Sequence, residues 1–235
     1  MREDLQAAAV WNPINESMDE VSSRIHDGVP LDQLHDRAES YLDRTIFGPC
    51  PQAYPKFPGA TLLEIGGGVG YIMQAMYKRL LSRSVPPHKI TDLDIAPNMI
   101  DKAKERLGKE SIYEFCLYDG ITVPLRDESI DLIYSVAALQ HIPKAYVFNL
   151  FYEVKRLLKP NGQAVFHFMS YDWLPKQEQH HPWRAEIDNQ VHGKQAHWHF
   201  FYTAAELRAV LSITGFSVVE IYDDGGGTLV AFVRC

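Results

Sequence analysis

Apolar and polar positions along the chain change period in a regular order. "ATLLEI" from Ala60 is a short apolar run, as expected of a strand buried on both faces. "YIMQAMYKRLLSR" then follows helical spacing. "ITDLDI" predicts a second strand that ends in acids, and "APNMIDKAKERLG" a helix with Pro97 in its first turn and Gly108 at its end. "SIYEFCLYD" and "SIDLIYSV" read as the third and fourth strands. "KAYVFNLFYEVKRLLKPNG" reads as an amphipathic helix closed by its last four residues, and "QAVFHFM" as a fifth strand. "TAAELRAVLSITG" predicts a helix capped by Thr203 with Glu206 three residues on. "FSVVEIYDD" and "TLVAFVRC" form a terminal hairpin.

This alternation implies an α/β fold, a doubly wound and mostly parallel sheet with helices on both faces. Its ligands are expected at the carboxyl ends of the strands. Residues 1–58 stand apart as an N-terminal helical cap. There, "LDQLHDRAESYLDR" has helical spacing and "FGPCPQAYPKFPG" an extended, proline-rich linker pattern. The main domain is then 59–235, with an insertion at 170–200 between the fifth strand and the last helix.

Composition narrows the function. The chain has 235 residues and a net charge of −7, which argues against a nucleic-acid partner. No apolar run is long enough to cross a membrane, and the first residues lack a signal-peptide pattern. Three scattered cysteines fit a reducing cytoplasm without a disulfide framework. A second copy of the chain remains open as a partner, giving a homodimer.

Chemistry concentrates after the first strand. Glu64, Gly66, Gly68 and Gly70 give an E-x-G-x-G-x-G pattern, which permits a tight turn and close approach of backbone to a ligand. The dinucleotide pattern competes, but the third glycine comes one place early and Tyr71 stands where that pattern wants Gly or Ala.

"LLEIGGGVG", "LDIAPNMIDKAKERL", "YDG", "IDLIYSVAALQHI" and "EVKRLLKPNGQAVF", in this order, resemble the class I S-adenosylmethionine-dependent methyltransferases. Within them the chain looks most like the small-molecule branch that includes the ubiquinone/menaquinone and sugar N-methyltransferases. The resemblance implies a Rossmann-like, seven-stranded sheet of order 3-2-1-4-5-7-6 with the last strand antiparallel. It implies S-adenosylmethionine as cofactor and S-adenosylhomocysteine as product. Glu64 through Gly70 would meet the methionine part, Asp94 the ribose hydroxyls and Ile95 the adenine. Asp119, with Gly120, would accept from the adenine amine, although an Asp at that place also opens loops. Ser135 and Val136 would lie beside the sulfonium. Asp92, two places before Asp94, is expected to be solvated, and Gly67 is an extra glycine beyond the family pattern.

Methyl transfer to O or N of a small molecule follows as the expected activity. A base candidate is His141 in "ALQHIP", with packing as its other reading. His167 reads as a satisfied core histidine. "HHPWRAEIDNQVHGKQAHWHF" (180–200) holds five of the ten histidines and reads as a lid over the pocket mouth. His199 is its candidate for catalysis and acceptor contact, with Tyr171, Trp183 and Tyr202 as further acceptor contacts. His197 and His199, on one face of an extended run, leave a metal pair open in principle, with His181 or His192 as further ligands, but the expected chemistry uses no metal. Trp11 and Tyr41 are candidates to cover the cofactor from the front. Two other functions stay open: a cofactor-binding interaction or regulatory protein without methyl transfer, and an NAD-dependent oxidoreductase.

Overall fold

A computed structural model describes residues 17, 18, 20, 33–172, 199–223 and 227–235. The strands are β1 (Thr61–Ile65), β2 (Lys89–Asp94), β3 (Tyr113–Leu117), β4 (Ile130–Ser135), β5 (Leu158–Ser170), β6 (Phe201–Tyr202), β7 (Val218–Asp223) and β8 (Thr228–Arg234). The α-helices described are α1 (Leu34–Leu42), α2 (Tyr71–Ser82), α3 (Pro97–Leu107), α4 (Lys144–Leu157) and α5 (Ala204–Thr214). The sheet order is β3-β2-β1-β4-β5-β8-β7, and β8 runs antiparallel to both neighbours. The two-residue β6 pairs with the end of β5 off this path. Without it, the order is the one the resemblance implies.

Residue parity explains the two-sided burial. Along β1, Leu63 and Ile65 join a core with α4 and α5, whereas Leu62 joins a core with α1 and α2. Both faces are covered, so the strand reads as an unbroken apolar run. Phe151 of α4 centres the first core, with ring centroids 5.2 Å from Phe166 and 6.3 Å from Phe168.

Two local expectations change. The fifth strand starts at Leu158 rather than Gln163 and takes in the "KPNG" run that closes the helix. α4 ends at Leu157, and these residues lie within β5, where the register with β4 shifts and Asn161 takes a left-handed φ of 65°. The predicted 31–44 helix continues past Leu42 as a π-turn over Asp43–Phe47.

Helix α1 shares its core with α2 through Ala38 and Leu42. Arg79 of α2 ties this junction by bonding the carboxylates of Glu39 and Asp43. At the other end of the domain, Thr203 caps α5 by accepting from the Glu206 N–H at 3.1 Å, as its sequence predicts. The Glu206 carboxylate accepts from Lys144. No described helix is long and apolar enough to cross a membrane.

Phe151→Ala should remove about 3–5 kcal/mol of stability, read as a lower midpoint in chemical denaturation, because Phe151 is fully buried in this aromatic cluster. An unchanged midpoint would contradict this account of the core.

Candidate active site

The carboxyl ends of β1, β2 and β4 open onto one pocket of ≈ 660 Å³, counting its mouth. That is a usual size for a small-molecule or cofactor site. Its floor is Ile65, Gly66 and Gly68; one wall is Leu93, Asp94, Ile95 and Met99 with Tyr118; the other is Ala137, Ala138, His141 and Ile142.

The glycine loop is shaped by three left-handed residues, Gly66 (φ 72°), Gly68 (φ 58°) and Gly70 (φ 81°). A side chain there would be strained. At Gly66 it would also meet the Ala138 Cβ, 2.5 Å from an ideal Cβ position. Two consecutive amides of the loop are held by strand β2. Gly67 N–H donates to Asp92 Oδ1 at 3.1 Å, and Gly68 N–H to Asp94 Oδ2 at 3.2 Å. Asp94 Oδ1 also accepts from Ala96 N–H at 2.9 Å, which turns the chain into α3. Carboxylate oxygens have lone pairs beyond these bonds, so Asp94, on the pocket wall, can still accept from a ligand hydroxyl.

Asp92 corrects an expectation. It is fully buried rather than solvated. The i, i+2 spacing puts it on the same face as Asp94, beneath the loop. Burial pushes its carboxyl well above the usual range, and the neighbouring Asp94 and Glu64 push the same way.

Glu64 is 1 % exposed and does not line the pocket. Its Oε2 accepts from the Tyr134 hydroxyl at 3.1 Å. Burial raises its carboxyl to about 8, and the Tyr134 bond pulls it down. It therefore supports the loop from below.

Other predicted residues divide in the same way. Ile95 lies on the pocket wall. Asp119 is exposed, and its Oδ1 accepts from Ile121 N–H (2.9 Å) and Thr122 N–H (2.8 Å). Those bonds are the loop-opening role of a turn aspartate and hold its carboxyl below the usual range. Gly120 beside it is buried with φ 84°. Neither Asp119 nor Gly120 lines the pocket. Ser135 Oγ donates to Ile65 O at 2.9 Å and joins β4 to β1, and Val136 packs in the core. The next two residues, Ala137 and Ala138, are the ones that reach the pocket. Ala137 has a left-handed φ of 56°, unusual for a residue with a side chain, and its N–H donates to His167 Nδ1 at 3.2 Å. His167 is thus a buried histidine that holds the pocket wall, and its ring meets Tyr41 of α1 edge-on.

At the mouth, His141 and His199 have ring centroids 4.8 Å apart. Phe200 N–H donates to Gln140 O at 2.7 Å and so ties residue 199 to the loop after β4. His199 also approaches Phe201 (6.5 Å), which approaches Tyr171 (5.8 Å). Tyr171 is exposed, whereas Tyr202 is fully buried against Phe168. The expected acceptor contact of Tyr202 is not what the structure gives, because inward parity in β6 takes its ring into the core. Trp11, Trp183, His180, His181, His192 and His197 lie outside the described residues. Tyr118, Met99, Ala137 and Ala138 were not expected on the wall. Apolar residues beside acids at strand ends were the available signal.

A family model described as "Methyltransferase domain" matches residues 63–166. The malonyl-[acyl-carrier protein] O-methyltransferase of Geobacter sulfurreducens is 30 % identical over 165 residues, 70 % of this chain and 58 % of that protein. The 2-methyl-6-phytyl-1,4-hydroquinone methyltransferase of Synechocystis sp. is 27 % identical over 60 % of this chain and 41 % of its own length. This chain therefore spans between about two-fifths and three-fifths of these curated relatives. Among solved structures, an S-adenosylmethionine-dependent methyltransferase from Mesorhizobium loti has a TM-score of 0.58 at 17 % identity, covering 79 % of this chain and 95 % of its own. Phosphoethanolamine N-methyltransferase 2 of Haemonchus contortus, in complex with S-adenosyl-L-methionine, has a TM-score of 0.58 at 17 % identity over 90 % of this chain and 47 % of its own.

The raised Glu64 carboxyl makes stability depend on pH. The folded state holds this proton more tightly than the unfolded chain, whose carboxyl titrates near 4.5. The contribution is complete below that value and is lost as pH rises toward about 8. Glu64→Gln should therefore raise the thermal midpoint over wild type more at pH 8 than at pH 5. A difference that stays constant with pH would contradict a buried, proton-holding Glu64.

With the ordered motifs, the strand order and these relatives together, residues 63–166 are identified as a domain of the class I S-adenosylmethionine-dependent methyltransferases.

Proposed function

We propose that this protein transfers a methyl group from S-adenosylmethionine to an oxygen or nitrogen atom of a small, flat or aromatic molecule. The observation that carries the acceptor side is the contact between His141 and His199. His141 is on the cofactor pocket wall, and His199 packs against it, with the buried Phe201 behind and the exposed Tyr171 beyond. Flat acceptors stack on such a surface.

The pocket suits the cofactor's parts. Asp94 offers acceptor oxygens for the ribose hydroxyls. Ile95, Met99 and Tyr118 offer apolar surface for the purine. Gly66 and Gly68 bring backbone close to the amino-acid end, with no side chain between. The cofactor supplies an activated methyl on a positively charged sulfur. The protein's share is alignment and exclusion of water. In this reading the acceptor lone pair forms the new bond to the methyl carbon as the carbon–sulfur bond breaks, and sulfur keeps that electron pair. His141 or His199 orients the acceptor and takes its proton where the acceptor is a hydroxyl.

Titration calorimetry with S-adenosylmethionine and with NAD should give heat with the first and none with the second. Asp94→Ala should weaken S-adenosylhomocysteine binding about tenfold or more, the loss expected for a ligand hydroxyl left without its acceptor. Equal affinity in wild type and variant would remove Asp94 from the site. Transfer of labelled methyl to a panel of phenols, carboxylic acids and amines would identify the acceptor class. On an accepted substrate, His199→Ala should lower kcat about tenfold or more while leaving cofactor affinity near wild type. A matching loss of cofactor affinity would contradict the acceptor-side role.

A further inference from the structure

The sequence carries one glycine beyond the family pattern, Gly67, and one acid at an unexpectedly buried place, Asp92. We infer that these two form one device: Asp92 is a positioning residue for cofactor binding, and its carboxyl sets the glycine loop by filling the space that a side chain at 67 would need. This inference rests on the pocket being the cofactor's.

An ideal Cβ built on Gly67 lies 2.5 Å from Asp92 Oδ1, 2.9 Å from its Cγ and 3.3 Å from its Oδ2. All three atoms of the group are close, so rotation of the carboxyl about its own axis does not clear them. Gly67, unlike Gly66, Gly68 and Gly70, is not in the left-handed region. The carboxyl, and not the backbone, is what bars a side chain there. In exchange, Oδ1 accepts the Gly67 N–H at 3.1 Å. Gly66 and Gly68, on either side, line the pocket. A shift of residue 67 therefore moves the surface that meets the cofactor.

The surroundings decide what kind of group Asp92 is. It is fully buried, and its Oδ2 has no hydrogen-bond partner among the described residues. Glu64 is its register partner on β1, with Tyr134 bonded to that glutamate. Asp94 follows two places on in β2, and Cys116 of β3 is also within electrostatic reach. Arg106 of α3 acts on Glu64, but its own bonds go to Val69 O and Gln74. Two acids and no paired cation favour a neutral Asp92, in agreement with the direction its carboxyl is pushed. A neutral group works as a hydrogen-bond acceptor of fixed shape, and the amide of asparagine has the same shape.

The test is calorimetric binding of S-adenosylhomocysteine to wild type, Asp92→Asn, Asp92→Gly, Gly67→Ala and the double variant Gly67→Ala/Asp92→Gly, with thermal unfolding measured alongside. Asp92→Asn should bind within about threefold of wild type, and Asp92→Gly about fivefold or more weaker. Gly67→Ala should lose about tenfold or more, while in the double variant the alanine should cost almost nothing further, because contacting residues do not add. Additive losses would overturn the inference, as would Asp92→Asn binding as weakly as Asp92→Gly. So would variants that lose stability while keeping wild-type affinity. If Gly67→Ala does not fold, the comparison of Asn with Gly at 92 still decides. Wild type that fails to bind would sink the pocket reading itself, a result distinct from additivity in a protein that binds.

Discussion

The hold of strand β2 on the glycine loop is the constraint from which the site follows. A loop with three left-handed glycines has many conformations open to it. Asp92 and Asp94 remove that freedom by accepting from two consecutive amides, Gly67 and Gly68. Both acids lie on one face of one strand, so a single register fixes both bonds. The register of β2 against β1, with Glu64 opposite Asp92, then fixes where the loop lies over the sheet. The helices on either face complete this arrangement by burying both sides of the central strands.

The same arrangement concentrates three acids in a small volume, and burial governs their protonation. Glu64 and Asp92 have no opposed guanidinium or ammonium bonded to them among the described residues, and both are pushed toward the neutral form. Asp94 is also pushed up by burial, but backbone amides of Ala96, Gly68 and Ile95 act against that. It is also the one of the three that lines the pocket. Environment thus separates three similar side chains into two supports and one group presented to a ligand.

Much of this was legible in the chain itself. The apolar runs and helical periods gave the strand–helix alternation, and the resemblance gave the sheet order. Asp94 and Ile95 follow a strand end in the sequence and line the pocket in the structure. Asp92 reads as solvated from its charge, but its parity with Asp94 turns it inward. Asp119 shows a second role: the acid that the resemblance puts on the adenine amine also closes its own turn through Oδ1, two and three residues on, a local bond that turn chemistry predicts. At the end of β4 the expected contacts at Ser135 and Val136 move on to Ala137 and Ala138, because the strand continues buried through Val136 and turns only at the left-handed Ala137. The meeting of His141 with His199 joins residues distant in sequence, and no periodicity encodes it.

A crystal structure of the protein with S-adenosylhomocysteine tests the central reading most directly. It should show the ribose hydroxyls on Asp94, the purine against Ile95, Met99 and Tyr118, and the sulfur facing the His141 side, with Asp119 still closing its own turn. A nucleoside bound elsewhere, or a purine amine held by Asp119 with Asp94 left out of contact, would contradict it.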